Sequence, residues 1–490
     1  MYKESIYNKV FCENGKVFLF NALKNRIVNI NSQEEYFEML EKMKKGVETS
    51  LFKYLYNLGF LIEEDVDEEK EGELSFSDQI FSNDLYLTLM VSEECNFRCK
   101  YCYEKFERGN MEPEVIEGLI KYLRKNVSSY HRIYIDWFGG EPLLGINEIE
   151  HFSKAVIPMC RKLGKQYVAS MTTNGYLLTS DNVKKLLENK VYNIQITIDG
   201  VEGYHDQYRV LKNGTGTFQV ILNNLRNIRD NIADPKLHID IRTNITSENM
   251  NGFEDFLRLV AGEFGDDKRF SFYFRPVGDW GGERAKKLQK TFIDSMDDAF
   301  DLLLKHECIL NVDAYFQMLR MRVCNAAYRN SYVIGANGTV YKCTMLLGNE
   351  CNHIGIIDES GNMNLEYSKL AKWVLPESNL PEKCNECNQK SICRNMYCAA
   401  SSQFGKKENC GYETDSIRYI IKLLDRAKSK HIYYYDSVES VSQNRALREE
   451  IFPGLFCMSN EESSCHACMS RHLTNVATMR KLVSSAWKEV

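Results

Sequence analysis

Between about residue 80 and residue 308, short apolar β-prone runs alternate with longer stretches of helical periodicity. Leu85–Val91, Arg132–Phe138, Tyr167–Thr172, Tyr192–Ile198, His238–Thr243 and Arg269–Phe274 read as strands. Helices are expected over 112–126, 147–163, 180–189, 216–230, 249–263 and 290–306. This gives an α/β chain of six βα units, which predicts a parallel sheet with crossover helices. In βα barrels the chemistry sits on loops at the C-terminal ends of the strands.

The pattern changes on both sides of this block. Residues 1–75 read as a separate α+β unit. Lys16–Phe20 and Asn25–Ile30 form a short strand pair, and Ser32 opens a helix with Glu35 placed as in a capping box. A second helix is expected near Glu48–Leu58, stopped by Gly59, and Phe60–Glu63 reads as a strand. The acidic run Glu63–Glu73 reads as a solvated linker, since like charges repel. Residues 309–425 form a cysteine-rich domain. Its end, Thr414–Ser429, carries Ile417, Ile420, Ile421, Leu424 and Ala427 on one helical stripe. Residues 426–490 are a tail with Cys457, Cys465, His466 and Cys468, a further ligand-like group.

Composition narrows the classes. A chain of 490 residues with 44% hydrophobic and 27% charged residues is ordinary for a soluble multidomain protein. A net charge of −6 gives no support for nucleic acid or an anionic membrane as partner. No apolar run reaches the length of a membrane span, and the start lacks a signal-peptide core, so a cytoplasmic location is expected. Seventeen cysteines are too many for a reducing compartment unless most bind metal or iron–sulfur clusters. Cys12, Cys160 and Cys308 stand alone among apolar residues and read as small core hydrophobes.

Cys95, Cys99 and Cys102 follow the first strand at spacing C-x3-C-x2-C. Three thiolates without a nearby fourth suit a 4Fe–4S cluster with one open iron, which can bind a substrate. A structural zinc site is the alternative, although zinc knuckles usually pair cysteines as C-x2-C with a fourth ligand. Gly139-Gly140-Glu141-Pro142 ends the second strand, where two glycines allow close backbone approach. Thr172-Thr173-Asn174-Gly175 ends the third, and Gln195, Thr197 and Asp199 alternate onto one face at the end of the fourth. Arg209 follows. A guanidinium matches a carboxylate, and a salt bridge to Asp206 is its structural alternative. Downstream come Cys324 and Cys343 around Gly338, then Cys384, Cys387, Cys393, Cys398 and Cys410, too many for one four-ligand site.

The cysteine loop, with Tyr101 before its last cysteine, resembles the signature of radical SAM enzymes. The resemblance covers roughly 80–425 and implies an open (β/α)6 barrel. It also implies that S-adenosylmethionine chelates the open iron and is cleaved to a 5′-deoxyadenosyl radical. By the same resemblance, Tyr101 belongs to the cofactor loop. Gly139, Gly140, Glu141 and Pro142 form the turn that receives the methionine amino group. Thr172, Asn174 and Thr197 lie toward the ribose side, and Arg209 meets the methionine carboxylate. The later cysteines resemble the SPASM domain, which carries two auxiliary 4Fe–4S clusters. One would be held by Cys384, Cys387, Cys393 and Cys410, the other by Cys324, Cys343 and Cys398, making three clusters in all. The chain departs from that family by having four residues, not three, between Cys393 and Cys398. Sulfatase maturases of this family carry a further cysteine where Asn330 stands here, so either an iron is open or a cysteine such as Cys351 reaches in. The hairpin and helices of 1–75 resemble the winged-helix-like element that binds leader peptides; a plain cap on the barrel is the alternative. The resemblance therefore implies a maturase forming thioethers in a ribosomal precursor peptide with a leader, fed by an external electron donor such as flavodoxin or ferredoxin. A formylglycine-forming sulfatase maturase and a non-catalytic metal- or peptide-binding protein are the competing expectations.

Overall fold

The computed structural model describes residues 1–400 apart from 14, 31, 277–298, 300, 304, 307–322 and 377–379. The expected helices over 290–306 (in the main) and 414–429, together with Cys308, Cys410 and the tail cysteines, lie outside the described residues. The chain divides into two compact units, the first ending at Val66 and the second starting at Asp67.

In the first unit β1 (Tyr2–Glu4) precedes an antiparallel meander of β2 (Asn8–Glu13), β3 (Lys16–Asn21) and β4 (Arg26–Ile30). Helices α1 (Gln33–Lys44) and α2 (Ser50–Asn57) follow, and β5 (Leu61–Glu63) returns to pair with β1. Ser32 Oγ accepts from the Glu35 amide at 3.1 Å, and Thr49 Oγ1 accepts from the Phe52 amide at 3.1 Å, so both helices start on side-chain caps. Val17, Leu19, Val28 and Ile30 face Tyr36, Met39, Phe52 and Leu55 in one core. The expected strand pair and helices are present, and β1 and β2 are additions to them. Cys12, expected in the core, is exposed on the edge strand β2, while Cys160 is buried as expected.

The second unit opens with a correction. The acidic run expected to be a linker is helical from Glu68, as α3 (Glu68–Ile80). Asp67 Oδ1 caps it through the Lys70 amide at 3.2 Å, and Glu68, Glu69 and Glu71 sit in the first turn, where the helix dipole favours negative charge. Phe76 and Ile80, one turn apart, are buried. The helix end grips the C-terminal module, since the Ile80 carbonyl accepts from the Arg329 amide at 2.8 Å and Gln79 Nε2 donates to Tyr328 Oη at 3.0 Å. The N-terminal unit therefore stops at 66 rather than 75. Phe76→Ala is expected to destabilise the second unit by about 3–5 kcal/mol, read as a fall in denaturation midpoint at unchanged slope. A change within about 0.5 kcal/mol, the scale of an exposed site, would return the segment to linker status.

Six parallel strands follow in sequential order: β6 (Leu85–Ser92), β7 (Arg132–Gly139), β8 (Gln166–Thr173), β9 (Val191–Thr197), β10 (His238–Ile245) and β11 (Phe270–Pro276). Between them run α4 (Pro113–Asn126), α5 (Ile146–Lys162), α6 (Ser180–Glu188), α7 (Glu202–Tyr208), α8 (Phe218–Asn231) and α9 (Phe253–Phe264). One face of each strand is apolar and packs on the helices, as Trp137 does on Phe152 and Phe272 on Phe253 and Phe256. The other face is polar and half-buried, carrying Thr88, Asp136, Ser170, Thr172, Gln195 and Arg242. This is the parallel sheet that the alternation predicts and the partial (β/α)6 barrel that the resemblance implies. The sheet also runs past β6 in a way the sequence does not announce. β12 (Ser331–Ile334) pairs parallel with β6, and β13 (Thr339–Tyr341), β14 (His353–Ile357) and β15 (Met363–Leu365) extend it antiparallel. Among the described residues no helix is long and apolar enough to cross a membrane.

Candidate radical active site

The cysteine loop leaves the C-terminal end of β6 and is held on both sides. At its base the Glu93 amide donates to the Gly109 carbonyl at 3.0 Å, closing the loop. Along its length Arg98 N–H donates to the Val210 carbonyl at 2.8 Å and Lys100 N–H to the Tyr208 carbonyl at 2.9 Å. The Gly139–Pro142 turn presses on it from the next strand. The Gly140 amide donates to the Ser92 carbonyl and the Glu141 amide to the Glu94 carbonyl, both at 2.9 Å. Gly139 has φ +127°, and a Cβ on Gly140 would lie 2.5 Å from the Glu94 carbonyl oxygen, so both positions require glycine. Pro142 starts the short helical turn that follows and is buried.

Glu141 is fully buried, and its carboxylate is taken up by the protein itself. Oε1 accepts from Thr173 Oγ1 at 2.6 Å and the Leu143 amide at 3.0 Å; Oε2 accepts from the Asn174 amide at 2.8 Å. Burial pushes its pKa up, and these donors oppose the rise. Glu141 thus ties the second strand end to the third. Asn174 carries the tie onward, with Nδ2 donating to Asn96 Oδ1 at 2.7 Å and lying 3.7 Å from Cys95 Sγ. The Asn174 amide therefore faces the cysteine loop, while Thr172 stays on the half-buried inner face and Thr197 is buried on the same face of its strand.

Across the loop lies a second polar knot. Tyr101 Oη donates to Asp199 and accepts from Arg209 Nη1 at 2.7 Å and Asn244 Nδ2 at 3.3 Å. Burial works against the Arg209 charge, but Tyr101, Cys99 and Asp199 beside it push its pKa well above the ordinary range. No ion pair joins Arg209 to Asp206 among the described residues. Asp206 Oδ1 instead caps α8, accepting from the Thr217 amide at 2.8 Å and the Phe218 amide at 2.9 Å. His205 Nδ1 accepts from the Asp199 amide at 3.2 Å, which puts its proton on Nε2 toward Thr217 Oγ1 at 3.1 Å. Burial and the Arg209 charge hold its pKa well below the usual value, so it is a neutral positioning residue. Asn96, Thr173 and Asn244 belong to the site and were not singled out by sequence; only the strand-end positions of Thr173 and Asn244, and the period-two spacing of Asn244 from Arg242, pointed to them.

Cys95, Cys99 and Cys102 are free thiols close enough to interact electrostatically. Burial, with the neighbouring thiols adding, pushes Cys95 up to about 12 and Cys102 up to about 11. Among the described residues no three Cys, His, Asp or Glu side chains converge tightly enough for one metal ion. A single zinc would need each thiolate about 2.3 Å from one point. A polynuclear cluster spreads its ligands over separate irons and fits three thiols on one loop better. The fully buried Arg209 Nε, which lacks a partner, and the glycine cradle at 139–140 fit a polar cofactor lying beside that loop.

A second thiol group forms from Cys324, Cys343 and Cys398, which also interact with one another. Cys351 has Lys369 and Lys372 as its charged neighbours, and Asn330 Nδ2 donates to the Ser82 carbonyl at 3.0 Å. Cys384, Cys387 and Cys393 lie on a knot of tight turns from Pro381 to Met396, and their expected partner Cys410 lies outside the described residues.

The comparisons agree with this geometry. Residues 89–260 match the family model of the radical SAM superfamily. The cysteine-type anaerobic sulfatase-maturating enzyme of Clostridium novyi (strain NT) is 25% identical over 62% of this chain and 85% of its own length. Mycofactocin maturase MftC of Mycolicibacterium smegmatis is 24% identical over 64% of this chain and 78% of its own. Among solved structures, native anSMEcpe with bound AdoMet and Cp18Cys peptide shares the fold, with TM-score 0.52 and 19% identity over 71% of this chain and 99% of that one. The strand-end cysteine loop, its glycine cradle and the family match together make residues 89–260 a radical SAM domain, in a chain similar to radical SAM enzymes that mature peptides or proteins.

Proposed function

We propose that this chain is a peptide maturase that joins a cysteine sulfur to a carbon of another residue in a ribosomally made precursor peptide. The observation that carries the reading is the second thiol group. Cys324, Cys343 and Cys398 are electrostatic neighbours of one another, while among the described residues Cys351 has Lys369 and Lys372 as its charged neighbours and Asn330 binds the Ser82 carbonyl; in this reading a cluster held there keeps one iron for a substrate thiolate. In this reading Cys384, Cys387, Cys393 and Cys410 hold a second SPASM cluster, and a flavodoxin or ferredoxin supplies electrons. The bound cluster on Cys95, Cys99 and Cys102 supplies the reductive cleavage of S-adenosylmethionine.

The protein's own part is placement. Glu141, Thr173 and Asn174 fix two strand ends against the loop, and Arg209, partnered by Tyr101, offers its buried Nε side to an anion. The net change removes one hydrogen from carbon and one from sulfur, while S-adenosylmethionine leaves as methionine and 5′-deoxyadenosine and a proton is released. Electrons balance, because the two lost by the peptide equal the two gained in cleavage.

Similarity to the sulfatase maturase favours a second reading, oxidation of a serine or cysteine to formylglycine. The test is anaerobic incubation of the holoenzyme with S-adenosylmethionine, dithionite and the product of a short cysteine-rich reading frame beside its gene. A thioether product has lost two hydrogens and resists thiol alkylation, whereas a formylglycine product reacts with hydrazides. Hydrazide-reactive product alone would replace the first reading by the second.

A further inference from the structure

The inner face of the last two strands carries a cation that the radical chemistry described above does not use. Arg242 on β10 pairs in register with Tyr273 on β11, and Asn244 pairs with Arg275. Arg242 and Arg275 therefore lie diagonally on one face, and both are half-buried. Arg242 Nε donates to Asn244 Oδ1 at 3.2 Å, and Asn244 reaches Tyr101 Oη at 3.3 Å, so the arginine is fixed to the polar knot of the radical site. Among the described residues no carboxylate lies within ion-pair distance of Arg242. The nearest acid along its own strand, Asp240, accepts from Ser271 Oγ and lies 2.8 Å from His238 Nε2.

The position is what gives the cation a use. The Tyr103 phenol feels Cys102, Cys343 and Arg242, and the Tyr397 phenol feels Arg275, Cys324 and Cys398. Arg242 thus shares a phenol neighbour with a thiol of each group, and Arg275 shares one with thiols of the second, near where the reacting carbon and the acceptor sulfur have to meet. A half-buried guanidinium with no anion among the described residues is partly desolvated for little Coulombic return. A carboxylate supplies that return, and a guanidinium can bind it through two parallel hydrogen bonds.

We propose that Arg242, with Arg275 beside it, is the subsite for a carboxylate of the peptide substrate, so that the segment presented for reaction carries an acidic side chain or a free C-terminus. This rests on the peptide-maturase reading above. The two sources share one chemistry and are separated by the probes.

The test uses the holoenzyme with S-adenosylmethionine bound and three acetylated tripeptides: Gly-Asp-Gly amide, Gly-Asn-Gly amide, and Gly-Gly-Gly with a free carboxylate. Dissociation constants come from saturation-transfer NMR titrations. The carboxylate-bearing probes are expected to bind at least about tenfold tighter than the Asn probe, a difference of about 1.4 kcal/mol. Preference for the Asp probe identifies a side chain, and preference for the free-acid probe identifies a chain end; either supports the subsite. The preference should fall below about twofold in Arg242→Gln and persist in Arg242→Lys, since only the charge is retained. If Arg242→Gln does not hold its iron, Arg275→Gln carries the same comparison. No carboxylate preference in the wild type, or a preference unchanged by the charge-removing variants, overturns the proposal. So does a loss of S-adenosylmethionine binding in Arg242→Gln, which would assign the arginine to the cofactor. Formation of 5′-deoxyadenosine is assayed on the same samples. Its presence without carboxylate preference removes only the subsite, while its absence removes the radical reading beneath it.

Discussion

Replacing Cys95, Cys99 and Cys102 together by alanine abolishes 5′-deoxyadenosine formation and lowers iron by about four per chain, one cluster's worth. The expectation follows from the loop itself. These three thiols are on one closed loop, and among the described residues no other thiol is hydrogen-bonded to Cys95. The loop's anchors to Gly140, Glu141, Val210 and Tyr208 are backbone bonds that alanine leaves intact, so the variant should keep its fold and its circular dichroism. Residual cleavage of S-adenosylmethionine in an anaerobically reconstituted triple variant would detach the radical chemistry from this loop.

Removal of residues 1–66 is expected to separate two activities. A flexible peptide loses much entropy on ordering, and proximity decides which hydrogen is abstracted. A docking unit raises the local concentration of the modified segment, by up to about the millimolar range for a short tether. The edges of the β2–β4 meander and of the β1–β5 ribbon, unpaired among the described residues, are the places where a leader could add as a strand. The truncated chain, cut before Asp67 so that α3 keeps its cap, should bind the leader and modify the peptide at least about tenfold less well. Its cleavage of S-adenosylmethionine without peptide should stay within about twofold, because every radical-site residue lies in the second unit. Full-rate modification by a truncated chain with a full complement of iron would make the first unit a cap and nothing more.

What could be read from the sequence follows physical range. The six parallel strands were legible because each buries one apolar face against helices, leaving period-two spacing in runs such as Ile133, Ile135 and Trp137. The cysteine loop and the glycine turn were legible because each is local. The short strands β12–β15 were not, since three to five residues carry little periodicity and β12 finds its partner β6 far away in the chain. The acidic run misled because charge repulsion was weighed without the helix dipole or the one-turn spacing of Phe76 and Ile80. The partners of Glu141 and Arg209 are long-range too. The resemblance implied the methionine amino group for the Gly139–Pro142 turn and the methionine carboxylate for Arg209, with Asp206 as its structural alternative; the fold adds Thr173 and Asn174 as partners of Glu141 and Tyr101 as a partner of Arg209.

In the proposed reaction a radical made at the Cys95–Cys102 loop takes hydrogen from a peptide carbon that then bonds to sulfur. Deuterium transfer reads this directly. The precursor peptide encoded beside the gene is prepared with its carbon-bound hydrogens replaced by deuterium and incubated anaerobically with the holoenzyme, S-adenosylmethionine and dithionite. Deuterium is expected in the 5′-deoxyadenosine and, in equal amount, a peptide whose cysteine no longer alkylates. Unlabelled 5′-deoxyadenosine beside an unchanged peptide, from enzyme with its full iron and sulfide, would contradict it.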